Sequence, residues 1–183
     1  MNYRFKGALV LSLVLILFQL PSCKQPEIYR ELRQMMSKEI VIPASLKKVQ
    51  ADTVFTCPLD ARAKCILYMD STECSSCKIS HLPRYGDMYA LSMRDPSFDF
   101  LVVISPKSEE RDRVLRQLQL TMVFPVYLDE GSHFLSLNPD IPRDNRFYCF
   151  LTDADGKVIF VGDPTWGSKT NARFLNALEK IKN

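Results

Sequence analysis

The chain has 183 residues, enough for one domain of ordinary size or two small ones. Hydrophobic residues make up 46% and charged residues 25%, which allows a sizeable core and excludes wholesale disorder. The formal charge of +3 is mostly a property of the first 22 residues, which hold Arg4 and Lys6 and no acid; the other 161 carry 22 basic and 21 acidic groups. A body so nearly neutral excludes an electrostatic nucleic-acid binder.

The opening segment, MNYRFKGALVLSLVLILFQLPS, has the build of an export signal. A short basic start is followed by a 13-residue apolar run over 8–20. That length suits a signal peptide and is short for a membrane-spanning helix. The run ends in Leu20-Pro21-Ser22-Cys23, which resembles the bacterial lipobox: an aliphatic residue three before the cysteine, a small residue just before it, then the cysteine that receives lipid. Pro21 is an unusual middle residue for that motif. On this reading 1–22 is a lipoprotein signal peptide and Cys23 a lipid anchor. The mature chain is then exported and held on a bacterial membrane, facing the periplasm or the cell surface. The plainer alternative is an ordinary signal peptide or short anchor helix with Cys23 incidental. Export leaves the other five cysteines where disulfides persist.

Residues 23–50 read as a tether with a short leading helix over 27–38, its apolar face set by Ile28, Leu32 and Met35, and Pro43 ends it. Residues 51–183 read as one domain. A strand is predicted at 64–70 (KCILYMD). A helix follows the Cys74-Ser75-Ser76-Cys77 segment to about Met93, with Leu82, Tyr85 and Tyr89 on one face. A second buried strand spans 98–104 (FDFLVVI). Ser105-Pro106 opens a helix to about Leu118, with Val114, Leu115 and Leu118 inward. A third strand spans 123–129 (VFPVYLD), and 130–146 reads as a loop. Residues 147–153 and 157–161, joined by Ala154-Asp155-Gly156, form a hairpin. A helix from about Ser168 closes the chain, with Phe174, Leu178 and Ile181 inward. Helices between strands imply parallel pairing, hence an α/β fold with a mixed central sheet covered by helices on both faces.

Cys74 and Cys77 carry the chemistry. They stand after a buried strand and at the start of a helix, where unpaired backbone N–H groups and the helix dipole favour an anion. The thiolate is the nucleophilic form of cysteine. Cys74 as attacking thiol and Cys77 as resolving thiol, one turn on, are the minimum machinery of dithiol–disulfide exchange. Three readings compete with a redox pair: a structural disulfide, an inactive relic of a redox fold, and a metal site. Zinc wants a second ligand pair, and the chain has only His81 and His133, while Cys57 and Cys65 in CPLDARAKC lack zinc-knuckle spacing.

In this order of strand, CxxC and helix, with FPVYLD and FLTDADGKVIFVGDP downstream, residues 60–180 resemble the thioredoxin-like superfamily. The likeness runs to exported, membrane-anchored thiol–disulfide oxidoreductases of the TlpA and ResA kind. The resemblance implies a three-layer thioredoxin-like sandwich and exchange on protein thiols and disulfides. A partner dithiol would supply or remove electrons, and no dissociable cofactor is needed. Several positions depart from the family pattern. Glu73 replaces an aromatic before the first cysteine and opposes thiolate formation there. Ser75-Ser76 lacks a proline, Pro83 falls one residue late, and Tyr68 replaces a buried acid, with Asp70 nearby at the strand end. The resemblance puts Phe147 at the site of the usual cis-proline; Pro142 is five residues too early and Pro125 belongs to the preceding strand.

The same alignment sets Cys149 in the strand facing the CxxC loop. There it is a buried small hydrophobe, a third redox thiol or a metal ligand. Cys65 is a core residue, and a Cys57–Cys65 disulfide is one pairing that the spacing allows. His81 reads as a partly exposed helix residue and His133 as a loop residue, although copper-delivery proteins of this fold pair a CxxxC with a distant histidine. Trp166 is expected to pack where the last helix begins, and 109–113 to be a solvated helix face. The leading function is lipid-anchored thiol–disulfide exchange. A non-enzymatic binding or scaffold module with a structural disulfide, and a metal chaperone, are the alternatives.

Overall fold

The computed structural model describes residues 27–36, 38–50, 53–55, 63–72, 75–122 and 124–182. The export segment with Cys23, and Cys57, Glu73, Cys74 and Val123, lie outside the described residues. The chain divides into two compact units, Met1–Arg30 and Glu31–Asn183. The first is described only where helix α1 (Glu27–Met35) begins.

A mixed seven-stranded sheet organises the second unit. Its strands in chain order are β1 (Lys47–Gln50), β2 (Thr53–Phe55), β3 (Ala63–Met69), β4 (Phe98–Ile104), β5 (Val126–Leu128), β6 (Cys149–Thr152) and β7 (Val158–Val161). They lie in the order β2-β1-β5-β4-β3-β6-β7. Strand β3 is parallel to β4, and β4 to β5, while β6, β7, β1 and β2 run antiparallel to their neighbours. Every residue of β3 is buried, as a central strand with both faces covered requires.

The helices in the second unit after α1 are α2 (Ser75–His81), α3 (Gly86–Arg94), α4 (Arg111–Thr121), α5 (His133–Leu137) and α6 (Ser168–Lys182). Pro83 has no N–H to give an α-helical bond, and the chain tightens into a 3-10 turn over Leu82–Tyr85 between α2 and α3. The strand order β3, β4, β5 steps one way across the sheet. Crossovers of a single hand therefore put the α2–α3 and α4 connections on the same face. There Ile79, Leu82, Tyr85, Tyr89, Val114 and Leu118, with Phe174 and Leu178 of α6, pack on Cys65, Leu67, Phe98, Phe100 and Val102. The other face is covered by a smaller layer that includes α5, whose Phe134 stacks on Tyr68 with ring centroids 5.1 Å apart.

Four expectations change. The β1–β2 hairpin had no clear pattern in sequence, since KKVQ buries only Val49; that residue pairs with Val126 and ties the hairpin to β5. The third strand shortens to Val126–Leu128. The helix expected from Ser105 begins at Arg111, after a 3-10 turn over Ser108–Glu110. Ser105 is still part of the sheet's end: its N–H donates to the Met69 carbonyl and its hydroxyl to the Asp129 carbonyl. Within the expected loop 130–146 stands α5. The left-handed Gly131 and Ser132 (φ 94 and 56°) turn the chain, and the Asp129 carboxylate accepts the His133 and Phe134 N–H groups at the helix start.

Candidate functional site

Ligand sites of open α/β sheets gather at the carboxyl ends of the parallel strands. Here that edge holds Asp70 after β3, Ser105 after β4 and Asp129 after β5, with the start of α2 beside them. Ser75 opens α2 and is buried; its hydroxyl donates to Glu110 at 3.3 Å, and the Gln117 amide donates to the Ser76 carbonyl. These bonds fix the first turn of α2 against α4. Glu110 is therefore more than part of a solvated face.

Cys77 is the third residue of α2 and is exposed, and the Ser80 hydroxyl donates to its carbonyl at 2.6 Å. The next residue, Lys78, lies 3.6 Å from Asp70. Burial pushes the Asp70 carboxyl up. Two hydrogen bonds from Thr72, the Lys78 charge and the Tyr148 hydroxyl outweigh that and hold it below the ordinary carboxylate value.

Tyr68 stands on β3 where the resemblance expects an acid. Burial pushes its phenol up to about 12, so it is a neutral O–H donor and no base near neutrality. Tyr148, just before β6, donates to Asp70 and packs edge-on to Tyr68, centroids 5.3 Å apart. Phe147 closes the 3-10 turn before it and is buried. Among the described residues no peptide bond is cis, those before Phe147 and Pro125 included.

Cys149 is buried at the start of β6. The β3–β6 register sets Leu67 opposite it and Cys65 diagonally beside it. A hydrogen bond with the Cys65 thiol, then burial, pushes the Cys149 thiol well above its ordinary value. It is a neutral core thiol, which favours the small-hydrophobe reading over a third nucleophile. Cys65 is a free, buried thiol, and Cys57, the partner that the spacing allowed, lies outside the described residues. Among the described residues no group of three or more histidine, cysteine or acidic side chains is placed to hold a metal ion.

Two cavities flank Tyr148. One, of about 210 Å³, is lined by Lys78, His81 and Arg84 from the α2 side, by Cys149 and Asp163, and by Trp166. Trp166 is 64% exposed, against the expectation that it packs inside. The other, of about 460 Å³, is lined by Tyr68, Asp70, Ser71, Thr72, Ser132 and Arg143 among others. A groove of about 1130 Å³ lies between α1, β7 and α6, and no residue of the β3–α2 end lines it.

The sequence missed the network under the first cavity. Asp163 accepts from the Tyr85 hydroxyl at 2.6 Å and from Arg84 at 3.1 Å, and caps the turn Pro164–Trp166 through Thr165. The available signals were an acid before a proline in Gly162-Asp163-Pro164 and a polar residue ending each buried strand. His81 is exposed, as expected; His133, expected in a loop, is exposed but opens α5, and its ring meets the Ser45 hydroxyl at 3.2 Å.

Strand, CxxC helix, parallel strand, antiparallel hairpin and closing helix, with the CxxC strand at the sheet's centre, define a thioredoxin-like α/β fold. Three solved structures are similar to this chain over most of its length. A thioredoxin-like protein from Porphyromonas gingivalis is 19% identical, over 77% of this chain and 92% of that one, with a TM-score of 0.49. A putative thiol:disulfide interchange protein DsbE from Chlorobium tepidum is 19% identical, over 78% and 99%, at 0.46. StoA from Bacillus subtilis is 17% identical, over 77% and 100%, at 0.46. No protein-family model and no curated protein matches the sequence.

Proposed function

We propose that this chain is a lipid-anchored, extracytoplasmic thiol–disulfide exchange protein that acts on protein disulfides and dithiols through Cys74 and Cys77. The observation that carries it is position. Cys77 is exposed in the first turn of α2, the helix that follows the central strand β3 and is anchored to α4, at the carboxyl edge of the sheet where ligand sites of such folds gather. Cys74 attacks a substrate disulfide, forming a mixed disulfide and releasing one substrate thiol. Cys77 attacks the Cys74 sulfur, closes the Cys74/Cys77 disulfide and releases the second thiol. Two electrons pass from the chain's dithiol to the substrate, and a partner dithiol reduces the chain again. Run in reverse, the same steps oxidise a substrate dithiol, and an oxidant then restores the disulfide.

The test is a redox titration of the pair, expected within roughly −120 to −270 mV. Cys74→Ser is expected to abolish insulin reduction, and Cys77→Ser to accumulate mixed disulfides. A pair that dithiothreitol cannot reduce leaves the scaffold reading in its place. Cys23 carries the anchor in this proposal; Cys23→Ala should release the chain from the membrane fraction and remove the lipid mass.

A further inference from the structure

The groove between α1, β7 and α6 has an apolar floor and one basic wall. Ile159 and Phe160 of β7, with Ala177 and Ile181 of α6, pack on the core and stay half-buried, which leaves part of their surface to the groove. Leu32 of α1 and Met36 just after it line the groove as well and are also half-buried. On α6 the lining residues Lys169, Arg173 and Lys180 are all exposed. At 3.6 residues per turn they fall within about 40° of one another around the helix and span about 16 Å along it. None of the three side chains takes part in an ion pair or a hydrogen bond among the described residues.

An unpaired basic stripe beside half-covered apolar surface suits a lipid headgroup layer. There long basic side chains keep their charge at the phosphates and their stems on apolar surface. The acids of the groove stand apart from the stripe. Asp153 and Asp155 lie at the hairpin turn, and the Asp153 carboxylate accepts the Asp155 and Lys157 N–H groups. Chain length brings the bilayer into range. Leu32 is nine residues after Cys23, so a lipid on Cys23 holds the groove within about 30 Å of the bilayer surface even with those residues fully extended. At that range the surface is presented at high effective concentration, and a few charges suffice to fix which side of the chain faces it.

Resting on the lipid-anchor reading above, we infer that this groove is the membrane-facing side of the anchored chain, with Lys169, Arg173 and Lys180 set against anionic lipid headgroups. The occupant is the lipid surface and not a protein. The anchor supplies attachment, and the stripe supplies orientation. No residue of the β3–α2 end lines the groove, so a chain docked this way keeps Cys77 open to protein partners.

The experiment uses the lipidated chain, reconstituted into vesicles of phosphatidylcholine alone or of an about 3:1 mixture with phosphatidylglycerol. Lysines are acetylated briefly with N-hydroxysuccinimidyl acetate and quantified by peptide mass spectrometry. Lys107, exposed and outside the groove, is the internal reference. Relative to Lys107, Lys169 and Lys180 should be acetylated roughly threefold to tenfold more slowly on the anionic vesicles than on the neutral ones, and about 0.5 M NaCl should remove the difference. Arg173→Glu should shrink the protection of both lysines and leave the urea midpoint in place, because the side chain is exposed and unpaired. Equal relative rates on the two kinds of vesicle overturn the inference. Protection that is the same on both and grows with protein concentration overturns it in favour of a second copy in the groove. A chain that carries no lipid mass on Cys23 and fails to float with phosphatidylcholine vesicles overturns the anchor reading first, and this inference with it.

Discussion

Asp163 shows how one buried side chain holds several segments. Its two oxygens receive the Tyr85 hydroxyl, the Arg84 guanidinium and the Thr165 N–H and hydroxyl, joining the CxxC-bearing α2 region to the turn before α6. Asp163→Ala strands the Tyr85 hydroxyl and uncaps the turn, and is expected to cost about 3 kcal/mol in urea unfolding. Tyr85→Phe should cost about 1 kcal/mol, and the double variant less than the two together, because the pair shares one bond. Asp70 gives a pH-dependent counterpart. Its folded carboxyl lies below the ordinary value, so it contributes stability above that value and loses it as pH falls through the folded one. Asp70→Asn should therefore be less stable than the wild type at about pH 6, by about 1 kcal/mol, with the gap closing below about pH 4. A gap of equal size at both pH values would mean that packing, and not charge, is lost.

Elements with a strong local signal were legible before any coordinates. The buried strands 64–70 and 98–104, the helix from Ser168 and the turn at Ala154-Asp155-Gly156 all fall within a few residues of their positions in the fold. Each has an apolar run or periodic face long enough to decide its structure alone. What sequence hid depends on distant partners. KKVQ becomes a strand because β5 offers it an edge, and α5 forms in a polar stretch because Asp129 caps it. The same holds for the site. The cysteine pair could be read from spacing, while the Asp70/Lys78 pair and the Tyr68/Tyr148 contact exist only after β3, α2 and β6 meet. At the hairpin turn, Gly156 has φ +85°, and an added Cβ would sit 3.2 Å from the Ile40 carbonyl oxygen. That carbonyl cannot easily retreat, since the Ile40 N–H donates to the Gly156 carbonyl at 2.9 Å. Gly156→Ala should cost roughly 1–3 kcal/mol in urea unfolding, and a neutral result would show that the 38–40 segment moves aside.

At the scale of the whole molecule, the cysteines divide by position in the sheet. Cys77 is exposed at the carboxyl edge, while Cys65 and Cys149 face one core layer on neighbouring strands, the first with no exposed area. Strand β3 sits between β4 and β6, so freeing Cys65 requires parting the strands that hold the sheet together. Burial and the shared hydrogen bond also keep Cys149 protonated and unreactive. Pulse alkylation of the reduced chain with iodoacetamide, read by mass spectrometry, should label Cys77 at once. Cys65 and Cys149 should follow only as fast as global unfolding, and their labelling across a urea series should give the same free energy as circular dichroism. Cys149 borders the smaller cavity as well as the core, so the two thiols separate two kinds of motion. Labelling of Cys149 ahead of Cys65 would mean that β6 and the turn before it open while β3 and β4 stay paired. The rim carrying Tyr148 and the Arg84/Asp163 pair would then move as a unit independent of the central sheet. Labelling of both in one step makes that rim part of the global fold, and the site a rigid one.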